Sequence, residues 1–310
     1  MLEVTLLQSW PSPDVATQDD RTMTSILCSL GHIATTQELL RNGVTQWQLH
    51  RGVARALVTR PRRGVYACDH VDRDIRGAAE LGGAITCVTV LRREGVWAGH
   101  DRRLHVQLHP AARSPTHGAH DRARLHWEAA LFPARSRFEM TVAESLRLAV
   151  RCLDSENAIA ALESAGHEGV LPQDEIVRIL QTAPRRLQRA AQELEFRSGS
   201  GNETIVRLRL QGLGFRVESQ GHVPGLGHQD LVIEDCVGLE VDGRQWHGED
   251  RFAIDRDRDI HSEGLGRRAL RLRTSHIFDT WPQTLSAIER AVSDATALRQ
   301  LREGRPIDNV

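Results

Sequence analysis

The chain has 310 residues, of which 40% are hydrophobic and 26% charged, so a folded protein of two or three domains is expected and wholesale disorder is excluded. A formal charge of −1 gives no global attraction to nucleic acid, and no apolar run reaches the roughly 18 residues a membrane-spanning helix needs. Every one of the 40 basic residues is arginine, which excludes chemistry that depends on a lysine.

Residues 1–20 lack a basic residue and an apolar block and contain Trp10-Pro11-Ser12-Pro13. They read as a flexible leader rather than a secretory signal, and the cytoplasm is the expected compartment. Cys28, Cys68, Cys87, Cys152 and Cys236 are scattered, odd in number and without a CxxC. That spacing argues against a disulfide framework or a zinc ribbon and fits reducing surroundings.

Residues 21–70 read as a compact unit. A first helix is expected over about 21–30. Thr35-Thr36-Gln37-Glu38 has the capping-box form, so a second helix starts there and ends at Asn42-Gly43. Thr45-Gln46-Trp47-Gln48 repeats the signal and opens a third, to about Ala56. Leu57-Val58-Thr59 and Gly64-Val65-Tyr66-Ala67 read as short strands around Pro61-Arg62-Arg63-Gly64. Three helices and a β-ribbon predict a winged helix-turn-helix. Between Arg41 and Arg63 lie six arginines (Arg41, Arg51, Arg55, Arg60, Arg62, Arg63) and no acid. On such a unit Gln46, Gln48 and Arg51 would reach base edges, with Arg55 beside them, while Arg60, Arg62 and Arg63 on the wing would meet phosphates.

Residues 71–195 read as a mixed, mainly helical linker domain. Arg103 to His109 alternates, with Leu104, Val106 and Leu108 on one side and Arg103, His105, Gln107 and His109 on the other, which predicts a half-buried strand. His100, His105, His109, His117, His120 and His126 have no carboxylate or cysteine at ligand spacing, so no metal site is expected among them. Thr141-x-x-Glu144 predicts a helix to about Cys152, followed by helices near 155–165, 173–182 and 185–195.

Residues 196–299 read as a third unit, and 300–310 as a flexible tail. After the Ser198-Gly199-Ser200-Gly201 break come a helix (202–212), strands at 214–220, 229–234 and 237–242, a charged helix at about 250–264, a strand at 268–273 and a last helix at 282–299. That order predicts a mixed sheet flanked by helices, and the whole chain is expected to be α+β or mixed.

The informative stretch runs from Gln229-Asp230 through Glu240-Val241-Asp242-Gly243 to Trp246-His247. Residues two apart on a strand share a face, so Glu240 and Asp242 point one way and Leu239 and Val241 the other. An antiparallel pairing through the Glu234-Asp235 turn would bring Asp230 beside Glu240. Clustered carboxylates lose hydration and repel, and a hard divalent cation removes that penalty. His247 would then be the general base. The plainer reading is that Glu240 and Asp242 form ion pairs with arginines such as Arg244 or Arg271.

Asp230, Glu240-x-Asp242-Gly243 and Trp246-His247 resemble the PD-(D/E)XK endonuclease fold, closest to the very-short-patch-repair endonucleases and the endonuclease-like domains grouped with them. The resemblance covers roughly 196–293. It implies a magnesium-dependent endonuclease, with manganese as a substitute, in which Asp230, Glu240 and Asp242 hold the metal, Glu203 on the first helix supports it or its water, and His247 is the base. Ser200 to Glu203 also fits a capping box, which would by itself explain Glu203. Relatives tend to carry an Asp-Arg-x-x-Asp run like Asp255-Arg256-x-x-Asp259, where Arg256 would hold a phosphate. The lysine of the motif is missing and Asp242 stands in its place. The head, from Ile33 to Tyr66, resembles the N-terminal winged helix of AbiEi-type antitoxins.

These readings predict a cytoplasmic endonuclease with its own DNA-binding head, acting in DNA repair or in defence against foreign DNA. DNA is the expected partner, with RNA open as a substrate, a second copy of the chain as a candidate for a homodimer, and no membrane. The alternative is a non-catalytic repressor or antitoxin-like binder with a degenerate nuclease fold and a toxin-type protein partner.

Overall fold

The structure is a computed structural model, and it describes residues 18–113, 123–188, 194–223, 227–242 and 268–302. It is a mixed α and β protein, as expected, and divides into two compact units. Unit 1 comprises residues 1–85, 103–129 and 135–139, and unit 2 comprises 86–102, 130–134 and 140–310. Among the described residues no helix is long and apolar enough to cross a membrane.

Unit 1 begins with α1 (Gln18–Ser29), β1 (Ile33–Thr35), α2 (Thr36–Arg41), α3 (Gln46–Ala54), β2 (Thr59–Arg62) and β3 (Val65–Ala67). Both capping boxes form. Thr35 Oγ1 accepts the Glu38 N–H while the Glu38 carboxylate takes the Thr35 N–H, and Thr45 and Gln48 do the same for α3. Met23, Leu27, Leu39, Val44, Leu49, Val58 and Tyr66 pack into one buried core. The three strands lie in the order β1-β3-β2, antiparallel throughout.

The ribbon differs from its expected form. Strand β2 runs through Pro61 to Arg62 instead of ending at Thr59. Pro61 has no N–H to donate, and β2 is the edge of its sheet, where that donor is dispensable. The turn shrinks to Arg63-Gly64, with Gly64 at φ 80°, a left-handed conformation that glycine adopts at no steric penalty.

Beyond Ala67 come α4 (Arg73–Leu81), β4 (Ala84–Ile85), α5 (Cys87–Arg93), β5 (Leu104–Gln107), β6 (Ala123–His126), β7 (Ala134–Ser136) and β8 (Glu139–Met140). The strands form a five-stranded sheet, β6-β5-β4-β8-β7, that the expectation of a mainly helical stretch missed. All five strands are only two to four residues long, too short for periodicity to register fully. Strand β5 is not half-buried either. His105 is fully buried and Gln107 nearly so, and His105 Nδ1 lies 3.2 Å from His126 Nε2.

Unit 2 continues with α6 (Val142–Cys152), α7 (Ser155–His167), α8 (Gln173–Gln181), α9 (Arg185–Gln188) and α10 (Gly201–Gly212). Helix α6 starts where Thr141-x-x-Glu144 predicts, for a different reason. Thr141 makes no side-chain cap and donates to the Pro133 carbonyl, while buried Glu144 takes the N–H groups of Leu131 and Phe132 and pairs with Arg147 at 2.6 Å. The remaining elements are β9 (Val217–Val223), β10 (Gly227–Ile233), β11 (Val237–Asp242), β12 (Arg268–Arg273), α11 (Thr274–Phe278) and α12 (Trp281–Arg302). Strand β9 extends three residues past its expected end, into the stretch expected to be turn.

The sheet of this region has the order β12-β11-β10-β9, with β11 and β12 parallel and the other pairs antiparallel. Ile205, Val206 and Leu210 of α10 pack with Leu231, Ile233, Leu239, Val241 and Leu272 and with Ile288, Ala291 and Ala295 of α12. Helix α7 is tied to α10 through polar contacts. Glu163 accepts from Thr204 Oγ1 and the Arg207 guanidinium, and Glu156 holds Arg209 through three N–H···O contacts of 2.8–3.0 Å.

Candidate functional site

The Glu234-Asp235 turn has both residues in the left-handed region, at φ 49° and 57°, the backbone twist that a tight antiparallel connection favours. It fixes the register Ile233↔Val237, Val232↔Gly238 and Leu231↔Leu239. Asp230 lies one residue beyond the last of these pairs. There the ladder gives way: Asp230 Oδ2 accepts the Val241 N–H at 2.7 Å.

On its other side Asp230 falls between the pairs Gln229↔Gly221 and Leu231↔Ser219, opposite Gln220. Gln220 has φ 53°, unusual for a residue with a side chain. Its Nε2 donates to Glu203 Oε2 at 2.9 Å. Asp230, Gln220 and Glu203 therefore belong to one polar group at the N-terminus of α10.

Glu203 lies in the first turn of α10, behind the N-cap Ser200. Its N–H donates to Ser200 Oγ, while its carboxylate accepts the Gly199 N–H at 2.8 Å. Half of the expected capping box thus forms, since the carboxylate takes the Gly199 N–H in place of the Ser200 N–H, and Glu203 also joins the acidic group. Burial, and next the charge of Asp230, push its carboxyl above the ordinary carboxylate range, against opposing hydrogen bonds from Gly199, Ser200 and Gln220. Neither Glu203 nor Asp230 is ion-paired with an arginine among the described residues. Ser198 Oγ and Asn202 Oδ1, on the same segment, are buried without a hydrogen-bond partner there.

Glu240 behaves differently. Leu239 and Val241 on either side of it belong to the core, so its side chain leaves the opposite face of the sheet. It meets Arg271, its direct partner across the parallel β11–β12 register, with Oε2 2.8 Å from Nε. The plainer reading of Glu240, an ion pair with Arg271, is thus realised. The pair is superficial, with the arginine side chain 51% and the glutamate 33% exposed. Asp242 closes β11, and its side chain lies outside the described residues, as do Arg244, Trp246, His247, Arg256 and the charged helix expected at about 250–264.

On unit 1 the basic residues surround α3 and the β2–β3 ribbon. Gln46 is exposed, but the Oε1 of Gln48 is engaged by the Thr45 N–H at 2.8 Å, so its acceptor serves the cap. The Arg51 guanidinium lies 4.9 Å from the ring centre of Trp47, and Arg55 is partly buried. Arg60, Arg62 and Arg63 are exposed, with Arg60 5.8 Å from the Tyr66 ring centre and Arg62 lying against Gly82, the residue that ends α4. Trp47, 59% exposed on α3, was not among the expected contact residues. A lone tryptophan in a polar helix reads as core, and only the helix orientation reveals it as surface.

The chain matches no protein-family model and no curated protein.

Proposed function

We propose that this chain is a DNA-acting phosphodiester hydrolase that depends on a divalent cation and carries its own DNA-binding head. The observation that carries the proposal is the approach of Asp230 to buried Glu203 with no guanidinium paired to either among the described residues. Two carboxylates drawn together from a strand and a helix N-terminus are stable as ions only beside a cation or a proton. Oxygen-only donors fit Mg2+ or Mn2+, and the oxygens of Ser198 and Asn202, unpartnered among the described residues, suit a hydrated ion. Asp230 and Glu203 would hold it, with Glu240 and Asp242 completing the set that the PD-(D/E)XK resemblance implies. Bound there, it would supply Lewis acidity at the scissile phosphate.

The chain order of α10, β9, β10, β11 and β12, with the parallel β11–β12 pair, accords with that resemblance. By the same resemblance, His247 takes the proton of the attacking water, and the 3′-oxygen leaves, giving 5′-phosphate and 3′-hydroxyl ends. Arginine cannot replace the missing lysine as a base, since it stays protonated. Arg256 would hold a phosphate.

The α-β-α-α-β-β order of the head, with its β1-β3-β2 sheet, supports a winged helix. Helix α3 would enter the major groove by its exposed Gln46 and Trp47, and Arg60, Arg62 and Arg63 would meet phosphates. Such a protein would act in the cytoplasm, in repair or in defence against foreign DNA.

The Glu240–Arg271 pair favours a second reading, a repressor or antitoxin-like DNA binder without catalysis. Incubating the full chain with duplex DNA, single-stranded DNA and RNA, in Mg2+ or Mn2+ and in chelator, separates the two. Cleavage that chelator abolishes supports hydrolysis. Sequence-selective duplex binding with no cleavage of any substrate supports the second reading.

A further inference from the structure

We propose that unit 1 binds one structural zinc ion through Cys28, His32, Cys68 and His70. Each of the four offers a ligand atom, and these atoms all lie within 4.8 Å of one another. The Sγ atoms of Cys28 and Cys68 are 3.8 Å apart, and Cys68 Sγ lies 3.4 Å from His32 Nδ1. Zn–S bonds of about 2.3 Å and Zn–N bonds of about 2.0–2.1 Å at the tetrahedral angle require S···S near 3.8 Å and S···N near 3.5 Å. Both distances fit the edges of a zinc tetrahedron. The sulfur separation is nearly twice the ~2.05 Å of a disulfide bond, so the two cysteines are free thiols.

The backbone builds the site from segments far apart in sequence. Cys28 lies in the last turn of α1, and Cys68 directly follows β3. Pairing of β1 with β3 sets Ile33 against Ala67, and the Cys68 N–H then donates to the His32 carbonyl at 3.1 Å. Gly31 and His32 both adopt left-handed backbone, at φ 87° and 70°. The second is strained for a histidine, a conformation that persists only where the surroundings enforce it. It turns the imidazole towards Cys68, and the His70 ring lies 5.8 Å from that of His32.

Two thiolates and two imidazoles are a donor set for zinc rather than magnesium. Cys68 is buried, Cys28 and His32 are partly so and His70 is exposed, which leaves the ion an entry path from solvent. The ion would pin the end of α1 to the strands that carry the β2–β3 ribbon. Small modules gain folding free energy from such a clamp. The ligand spacing Cys-x-x-x-His and Cys-x-His resembles no ribbon or finger, which is why the expectation from CxxC spacing misses it.

The test uses the full chain purified without chelator, with metal content measured on wild type and variants. About one zinc per chain is expected, with loss of one equivalent in Cys28→Ser and Cys68→Ser and retention in Cys236→Ser. Cobalt should replace zinc with the intense visible bands of a tetrahedral site and a thiolate charge-transfer band. His70→Asn, altered at an exposed ligand and therefore expected to fold, should weaken affinity at least about tenfold and change that spectrum. A wild-type chain that takes up neither zinc nor cobalt overturns the proposal. So does undiminished zinc in the Cys28→Ser/Cys68→Ser double variant, or a Cys28–Cys68 disulfide in the protein isolated under reducing conditions.

Discussion

Arg207 of α10 and Glu163 of α7 form an ion pair at 2.5 Å with both side chains buried, joining the helical part of unit 2 to the segment that carries Glu203. Glu163 also takes the Thr204 hydroxyl and the Glu195 N–H, each at 2.7 Å, although burial outweighs these bonds and the Arg207 charge and holds its carboxyl above the ordinary range. Removing Glu163 takes the closest anion from buried Arg207 and leaves it Gln211 and the more distant Glu195 carboxylate, 3.7 Å away. Glu163→Ala should therefore destabilise by about 3–5 kcal/mol in chemical denaturation. The Glu163→Leu/Arg207→Met double variant should lose markedly less. Equal losses would mean that Glu195 and Gln211 already compensate the Arg207 charge when Glu163 is gone.

Glu203 gives a pH signature. Its folded-state carboxyl is raised by burial and by Asp230, so as pH increases the unfolded chain loses that proton first. Between the two pKa values the folded state binds more protons, and stability falls with rising pH. The stability contributed by this proton is present below the unfolded value and lost as pH rises through the folded one. Glu203→Gln should remove that decline, so that the variant gains on wild type from acid to neutral pH. Mg2+ or Mn2+ should narrow the gap by binding the ionised wild type. A gap independent of pH would mean that neither burial nor Asp230 raises the Glu203 carboxyl.

The Glu240–Arg271 pair is exposed and should contribute no more than about 1 kcal/mol. Arg271→Ala should thus leave stability nearly unchanged. If Glu240 is a metal ligand, the same variant should bind Mn2+ more tightly in calorimetric titration. Unchanged affinity would assign Glu240 to the surface pair alone.

For the head, neutralising Arg60, Arg62 and Arg63 together should reduce the slope of log affinity against log salt by about 2–3 in duplex binding. Trp47→Ala should weaken binding with the slope unchanged. Identical slopes in wild type and the triple variant would remove the ribbon from the interface.

Much of this was legible in the sequence because local signals dominate. Thr35 and Thr45 announce their helices by reciprocal hydrogen bonds within four residues. Strands 237–242 and 268–273 fall at their predicted limits because apolar and polar residues alternate there. What stayed hidden is non-local. The short strands β4, β7 and β8 exist only through their neighbours. The antiparallel β10–β11 hairpin was legible, yet Gln220, which donates to Glu203, enters the group only through its left-handed backbone. Cys28 and Cys68 lie 40 positions apart and meet because β1 pairs with β3.

In the proposed function Asp230 and Glu203 share a divalent cation that drives phosphodiester cleavage. Supercoiled plasmid and labelled oligonucleotides should be incubated in Mg2+ or Mn2+ with wild type, Asp230→Ala, Glu203→Gln and His247→Ala, each checked for folding by circular dichroism. The account predicts cleavage by wild type and a loss of at least about a hundredfold in each variant. Cleavage undiminished in Asp230→Ala, or no cleavage by a folded wild type on any substrate, would contradict it.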